Sequence, residues 1–217
     1  MQIRRWRQCA AATAAVALLF GTSGSSRASN DGVANSAAQR FTLHLHHLHT
    51  GETIDVVYKV GDDYVPEAIA KLNYFLRDHR TNDVSHYDPK EFDLLHSVMA
   101  KLGKPNGVID IVCGYRTPWS NEFLRSRSAS TGVAKNSQHM QAKAIDIRVP
   151  GVTTSHLPDI ALSLHGGGVG YYPVSQFVHV DVGPIRQWSF GHGEEPRATS
   201  RPFKCLSKCL VAPDVAC

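Results

Sequence analysis

Three polar side chains stand out by their placement, and their types suit metal chemistry. His139 ends a polar loop that runs from Gly132 to Met140. Asp146 lies in Ala144-Ile145-Asp146-Ile147-Arg148, and His179 lies in Phe177-Val178-His179-Val180-Asp181-Val182. Burying an unpaired polar group costs about 1–3 kcal/mol, so a His or Asp inside such a strand needs a partner. One ion would satisfy two imidazoles and a carboxylate together. Three protein ligands leave a fourth position for water, the open arrangement of catalytic zinc. Zinc lowers the pKa of that water towards about 7 and polarises a peptide carbonyl. The spacing alone does not compel a metal. The chain has 12 histidines, so chance pairings are easy, and the ligand pattern matches no common short zinc motif.

Other residues gather around these three. Asp181 lies two after His179, so a regular strand puts both side chains on one face. There it serves as general base or orients His179, and the residues alone do not separate the two roles. Arg116 follows a strand end, where a guanidinium can donate two hydrogen bonds to a carboxylate or a tetrahedral oxygen. Ser137 is placed to hydrogen-bond within the loop and set the orientation of His139. The histidines at 44, 46, 47 and 49 read as strand histidines rather than a second metal site, with 44 and 46 on one face. The glycines at 166–168 lack the Lys-Ser/Thr of a phosphate loop.

Several elements must hold these groups. Alternation in Phe41–Leu45, a Thr50-Gly51-Glu52 turn and a β-branched run from Ile54 to Val60 predict a hairpin. Pro66 to His79 has helical spacing with proline in the first turn. Pro89 to Leu102 predicts a second helix, with Asp88 as N-cap, Glu91 completing a capping box, and Gly103 as terminator. Val108–Cys113 is an apolar strand in which Cys113 reads as a buried, inert thiol. Trp119–Ser126 predicts a helix, Ala144–Val149 a strand, Leu157–Leu164 a helix capped by Ser155, and Phe177–Val182 a final strand. The glycine run at 166–168 turns into a strand through Tyr172. The sum is an α+β fold, a small, mostly antiparallel sheet flanked by helices on one side.

The ends differ from the middle. Arg4, Arg5 and Arg7 precede an apolar run from Cys9 to Phe20, and Ser26-Arg27-Ala28 offers a small-x-small cleavage site. This predicts a signal peptide over 1–28, with a retained anchor as the alternative. The run is too short to span a bilayer comfortably, so no stable membrane insertion is expected after cleavage. The sequence does not choose between the Sec and twin-arginine routes. Residues 29–40 read as a flexible leader, 41–190 as the folded domain and 191–217 as a tail carrying Cys205, Cys209 and Cys217. Export permits a disulfide in that tail, of unknown connectivity. The 217 residues suit one domain plus ends. A net charge of +4 lacks the dense Lys/Arg footprint of a nucleic-acid binder, but favours approach to an anionic polymer such as a bacterial wall.

The stretch from Ser137 to Asp146 resembles the Ser-x-His-x-x-Gly-x-Ala-x-Asp motif of the D-Ala-D-Ala metallopeptidases. That group shares its core with lysostaphin-type endopeptidases and the hedgehog signalling domain, and the likeness is strongest to the murein endopeptidase K family of Gram-negative bacteria. It extends to Leu48-His49-Thr50-Gly51-Glu52, Leu72–Asp78, Gly114-Tyr115-Arg116, Gly167–Pro173 and Phe177–Pro184. It covers roughly 41–188 and leaves the tail outside.

The resemblance implies a zinc peptidase of the periplasm with a hedgehog/D-Ala-D-Ala-peptidase fold. It implies His139, Asp146 and His179 as zinc ligands and Arg116 as the arginine that steadies the substrate or the developing oxyanion. Asp181 joins Arg116 as a catalytic candidate on its placement, and Arg116, Ser137 and Tyr171 are the expected contacts to peptidoglycan stem peptides. Two departures stand out. Ala142 replaces the motif's glycine. Phe177 and Gln176 occupy positions where many relatives carry a general base. The expected function is a murein endopeptidase that hydrolyses peptide cross-links. The alternatives are a D,D-carboxypeptidase trimming stem peptides and a non-catalytic, zinc-stabilised peptidoglycan-binding domain.

Overall fold

A computed structural model describes residues 38–127 and 131–191. The expected signal peptide, most of the leader and the cysteine tail lie outside the described residues.

Strands β1 (Arg40–His47) and β2 (Thr53–Val60) form the expected hairpin. A two-residue strand β3 (Asp63–Tyr64) follows and pairs with β2. Helix α1 (Pro66–Phe75) starts at the proline as expected but stops well short of His79. Two contacts explain the early end: the Leu76 carbonyl accepts from the Tyr115 amide at 2.8 Å, and the Asp78 carboxylate accepts from the Thr117 amide at 2.8 Å and hydroxyl at 2.9 Å. These bonds recruit the residues after the helix into holding the turn that carries Arg116.

Helix α2 (Lys90–Lys101) buries Phe92, Leu95, Val98 and Met99, the expected stripe. Its capping box does not form. Asp88 accepts from the Lys90 amide at 3.1 Å, but Glu91 is fully buried and neither carboxyl oxygen has a hydrogen-bond partner among the described residues. Strand β4 (Val108–Cys113) leads to α3 (Pro118–Ser126), where the Thr117 hydroxyl caps the Ser120 amide at 3.1 Å. Strand β5 (Ala144–Arg148) precedes α4 (Leu157–Leu162), whose N-cap is His156 rather than Ser155, without a side-chain cap bond. Strands β6 (Gly168–Tyr172), β7 (Phe177–Asp181) and β8 (Arg186–Ser189) complete the domain.

The strands join in one sheet, in the order β3-β2-β1-β4-β5-β7-β6-β8. The expectation of a small, mostly antiparallel sheet is corrected here: the sheet has eight strands and is mixed. β1 with β4 and β6 with β8 are parallel, and the other neighbours are antiparallel. A parallel pair needs a crossover, and the segment holding α1 and α2 supplies one between β2 and β4. Alternation within a strand fixes which face is buried but not which strand lies beside it.

One face of the sheet presents Leu43, Leu45, Ile109, Ile111, Ile145, Ile147, Val178 and Val180 to Leu72, Phe92, Leu95 and Leu157 from the helices. The opposite face carries the polar centre.

Candidate metal centre

Cross-strand register builds the centre. Asp146 on β5 lies directly opposite His179 on β7, and Ala144 opposite Asp181. Beyond β7, Gly170 faces His179 on one side and Trp188 of β8 on the other. A Cβ on Gly170 would meet the Trp188 ring at 2.4 Å, and one on Gly168 would meet the Asp181 carboxylate at 2.5 Å and the Arg186 guanidinium at 2.6 Å. The two glycines of β6 thus let side chains of β8 lie across that strand and reach β7. Trp188 packs on His179 with ring centroids 5.1 Å apart, and Arg186 bonds Asp181.

His139 arrives from a short 3-10 turn, Gln138–Gln141, whose first amides Ser137 caps. The Ser137 hydroxyl accepts from the His139 amide at 3.3 Å. His139 Nδ1 donates to the Gly114 carbonyl at 2.7 Å, which directs Nε2 into the centre. Ala142 ends the turn with φ 51° and ψ 45°, a left-handed conformation. This explains the glycine of the motif: the position needs positive φ, which costs an L-residue about 1–2 kcal/mol.

The three atoms converge. His139 Nε2 lies 3.2 Å from Asp146 Oδ1 and 3.1 Å from His179 Nδ1, and His179 Nδ1 lies 2.9 Å from Asp146 Oδ1. Two donors each about 2.0–2.1 Å from a tetrahedral zinc are about 3.3 Å apart, so the triangle is close to the size a zinc ion requires. All three residues are buried, and the donor set of two imidazoles and one carboxylate suits zinc.

Electrostatics follow from burial and crowding. Desolvation, then the Arg116 charge, lowers the His139 pKa to about 4, so its imidazole is neutral at pH 7. Burial works against charge on Asp146, yet the charges and hydrogen bonds of His139 and His179 outweigh it and hold the carboxyl well below its usual range. Burial likewise disfavours charge on His179, but bonds to Asp146 and Asp181 raise its pKa.

Asp181 sits behind His179. Its Oδ2 lies 2.9 Å from His179 Nε2 and accepts from Arg186 Nη2 at 2.7 Å. Its Oδ1 accepts from the Gly168 amide at 3.0 Å, the Gly183 amide at 2.8 Å and Arg186 Nη1 at 3.1 Å. Against the cost of burial, these partners lower its pKa to about 2. Both oxygens are occupied, and the carboxylate lies on the far side of the imidazole from the three converging atoms.

A cleft of about 490 Å³ opens onto the centre. Arg116 lines it, held by its own amide, which donates to the His139 carbonyl at 3.2 Å. Its Nη2 donates to the Ser137 hydroxyl at 3.4 Å and its buried Nε has no partner among the described residues. Ser137 also lines the cleft. Tyr171 does not. Alternation along β6 sends it to the other face, where it packs against the core, and its neighbour Tyr172 lines the cleft instead, stacked on Phe177 with ring centroids 4.4 Å apart. Sequence reasoning missed Tyr172, Trp188 and Arg186. It also missed Asp78, which lies inside one of the matching blocks and anchors the Arg116 turn. Cys113 is buried as expected, and burial pushes its thiol up to about 12, but it lines the same cleft.

A family model described as peptidoglycan L,D-endopeptidase MepK matches residues 35–188. The chain belongs to this family. Its members are peptidoglycan endopeptidases and metallopeptidases. The chain is 45% identical over 148 residues to the peptidoglycan L,D-endopeptidase MepK of Escherichia coli strain K12, covering 67% of this chain and 79% of the relative. It is 42% identical over 146 residues to the probable peptidoglycan L,D-endopeptidase MepK of Haemophilus influenzae, covering 67% of this chain and 77% of the relative. No solved structure matches significantly. The family match contains His139, Asp146, His179, Asp181 and Arg116, and ends at Trp188.

Proposed function

We propose that the chain is a zinc-dependent endopeptidase that hydrolyses L,D peptide cross-links of peptidoglycan in the periplasm. The observation that carries this reading is the convergence of His139 Nε2, Asp146 Oδ1 and His179 Nδ1 where Asp146, His179 and Arg116 line the cleft. The names of the relatives favour an endopeptidase over a D,D-carboxypeptidase. The periplasmic placement rests on the arginine-led apolar N-terminus. Among the described residues, no helix is long and apolar enough to cross a membrane.

His139, Asp146 and His179 hold the ion, which supplies Lewis acidity and lowers the pKa of an attacking water when bound. Arg116 faces the cleft with a guanidinium whose one hydrogen bond among the described residues is the long one to Ser137, so it is available to the oxygen on which charge develops. Ser137 positions His139 and Arg116 together. Tyr172 and Trp188 form an aromatic wall that receives the stem peptide. Asp181 acts as the positioning residue for His179, because its lone pairs are committed and it stands behind the ring. Among the described residues lining the cleft, Asp146 is the only carboxylate.

Purified L,D-cross-linked muropeptide dimers, incubated with the mature chain and one equivalent of zinc, should give monomers by mass spectrometry. A chelator should stop the reaction. Intact dimers with zinc bound would defeat the reading, and release of terminal D-alanine alone would shift it to a carboxypeptidase.

A further inference from the structure

Cys113 has no part in the reading above, yet the fold aims it at the same point. β4 pairs with β5 through a bulge: Ile111 faces Ile147, but Cys113 faces Asp146, leaving Val112 as the extra residue. Strict alternation would place Cys113 on the face of Ile111, in the core. The bulge turns it into the cleft instead, a common use of bulges beside functional sites. Asp146 therefore has a donor-bearing neighbour across each edge, Cys113 on β4 and His179 on β7. His139 approaches from the 3-10 turn. The donor atoms of Cys113, His139 and Asp146 all lie within 4.8 Å of one another. A thiolate and an imidazole on one tetrahedral zinc are about 3.5 Å apart, given bonds of about 2.3 and 2.0–2.1 Å, so a modest side-chain movement closes the gap. Little holds the sulfur back. It contacts the Gly114 carbonyl at 3.7 Å, and that carbonyl already accepts the stronger His139 bond at 2.7 Å.

We propose that Cys113 is a fourth protein donor of the metal centre, making it a Cys-His-Asp-His set suited to a thiophilic ion of the zinc class. This rests on the proposed ligand roles of His139, Asp146 and His179. Formation of the sulfur–metal bond releases the thiol proton to solvent and one water from the ion. Thiolate is a soft donor that favours zinc over magnesium or manganese. Four protein donors fill a four-coordinate ion, so the sulfur and the attacking water compete for one place.

The test loads the full chain with cobalt(II) in place of zinc. The native chain should bind about one cobalt in the centre and show a near-ultraviolet thiolate-to-cobalt charge-transfer band. Cys113→Ser and Cys113→Ala should keep the cobalt and its visible bands but lose the charge-transfer band. Bound metal should also protect Cys113 of the native chain from alkylation, read by peptide mass spectrometry, a measurement that needs no variant. A native chain with bound cobalt and no such band overturns the proposal. So does a band that persists at full strength in both variants, which would come from another cysteine. Failure of the native chain to bind cobalt or zinc refutes the His139–Asp146–His179 triad itself, and Cys113 with it.

Discussion

Histidines gather in two regions of this molecule, and they are bonded differently in each. Along β1, His44 pairs with Asp55 at 2.6 Å and His46 with Asp110 at 2.9 Å, each with its own cross-strand neighbour. His47 accepts amide bonds from His49 and Thr50, and His49 stacks on His79 with centroids 4.1 Å apart. In the candidate metal centre, one oxygen of Asp146 is shared by two imidazoles whose nearest nitrogens lie 3.1 Å apart. Private pairing needs only adjacent strands. Sharing needs the 3-10 turn, β5 and β7 to converge on one point, and leaves lone pairs aimed at a common volume. Convergence, rather than a count of histidines, is what makes the triad a candidate metal site.

The comparison breaks most directly by removing one member from each region. His139→Ala or His179→Ala should reduce zinc from about one ion per chain to almost none by elemental analysis, and abolish cleavage. His46→Ala should leave zinc content unchanged; a loss of zinc there would mean the β1 cluster is the metal site. Arg116→Ala comes next. It should keep zinc but lower kcat about 10²–10³-fold, the usual effect of losing an oxyanion donor. An unchanged kcat would leave Arg116 only its turn-forming role.

Asp181 sharpens the contrast between holding a ligand and performing chemistry. Asp181→Asn should weaken zinc affinity about 10–100-fold, as expected when an orienting partner is lost, with turnover recovering at high zinc. Turnover that stays low at saturating zinc would restore the general-base role.

Glu91 is the counter-example, a buried carboxyl neither shared nor paired among the described residues. Burial, then the charges of Asp181, Asp88 and Asp146, raises its pKa well above normal. The folded state keeps the proton, whereas the unfolded chain releases it above about pH 4.3, so the residue costs more stability as pH rises. Glu91→Leu should stabilise the protein by about 1–3 kcal/mol at pH 8, with the gain shrinking towards pH 4. A gain independent of pH would show that packing, not ionisation, is responsible. The smallest effect belongs to Ala142→Gly. Relief of about 1–2 kcal/mol of left-handed strain, less about 0.8 kcal/mol for the buried methyl, predicts a net gain below about 1 kcal/mol by denaturant unfolding. A loss would mean that the methyl contributes more than the strain costs.

Much of the fold was legible because local patterns encode it. The hairpin, α2, β4, β5 and β7 fall within a residue or two of expectation, since alternation and helical spacing report directly on a buried face. The shortfalls have particular causes. α1 ends early because Leu76 and Asp78 are recruited by the Arg116 turn. The two-residue β3, and β8 with only partly buried side chains, carry little pattern. Tyr171 was expected at the cleft, which Tyr172 lines instead, because a shift of one residue along a strand reverses the face.

The sequence by itself determined which residues are polar inside apolar strands, Asp146, His179 and Asp181, because such placements cost energy unless a partner exists, and it set His139 at the end of the polar loop that precedes them. Only the tertiary structure decided how those partners are distributed. It put Asp181 behind His179 with every oxygen occupied, brought Arg186 and Trp188 across the glycines of β6, and turned Cys113 from the core to the cleft through one extra residue in β4. Each of these depends on register between strands distant in the chain, and a periodic pattern within one strand holds no information about its neighbour.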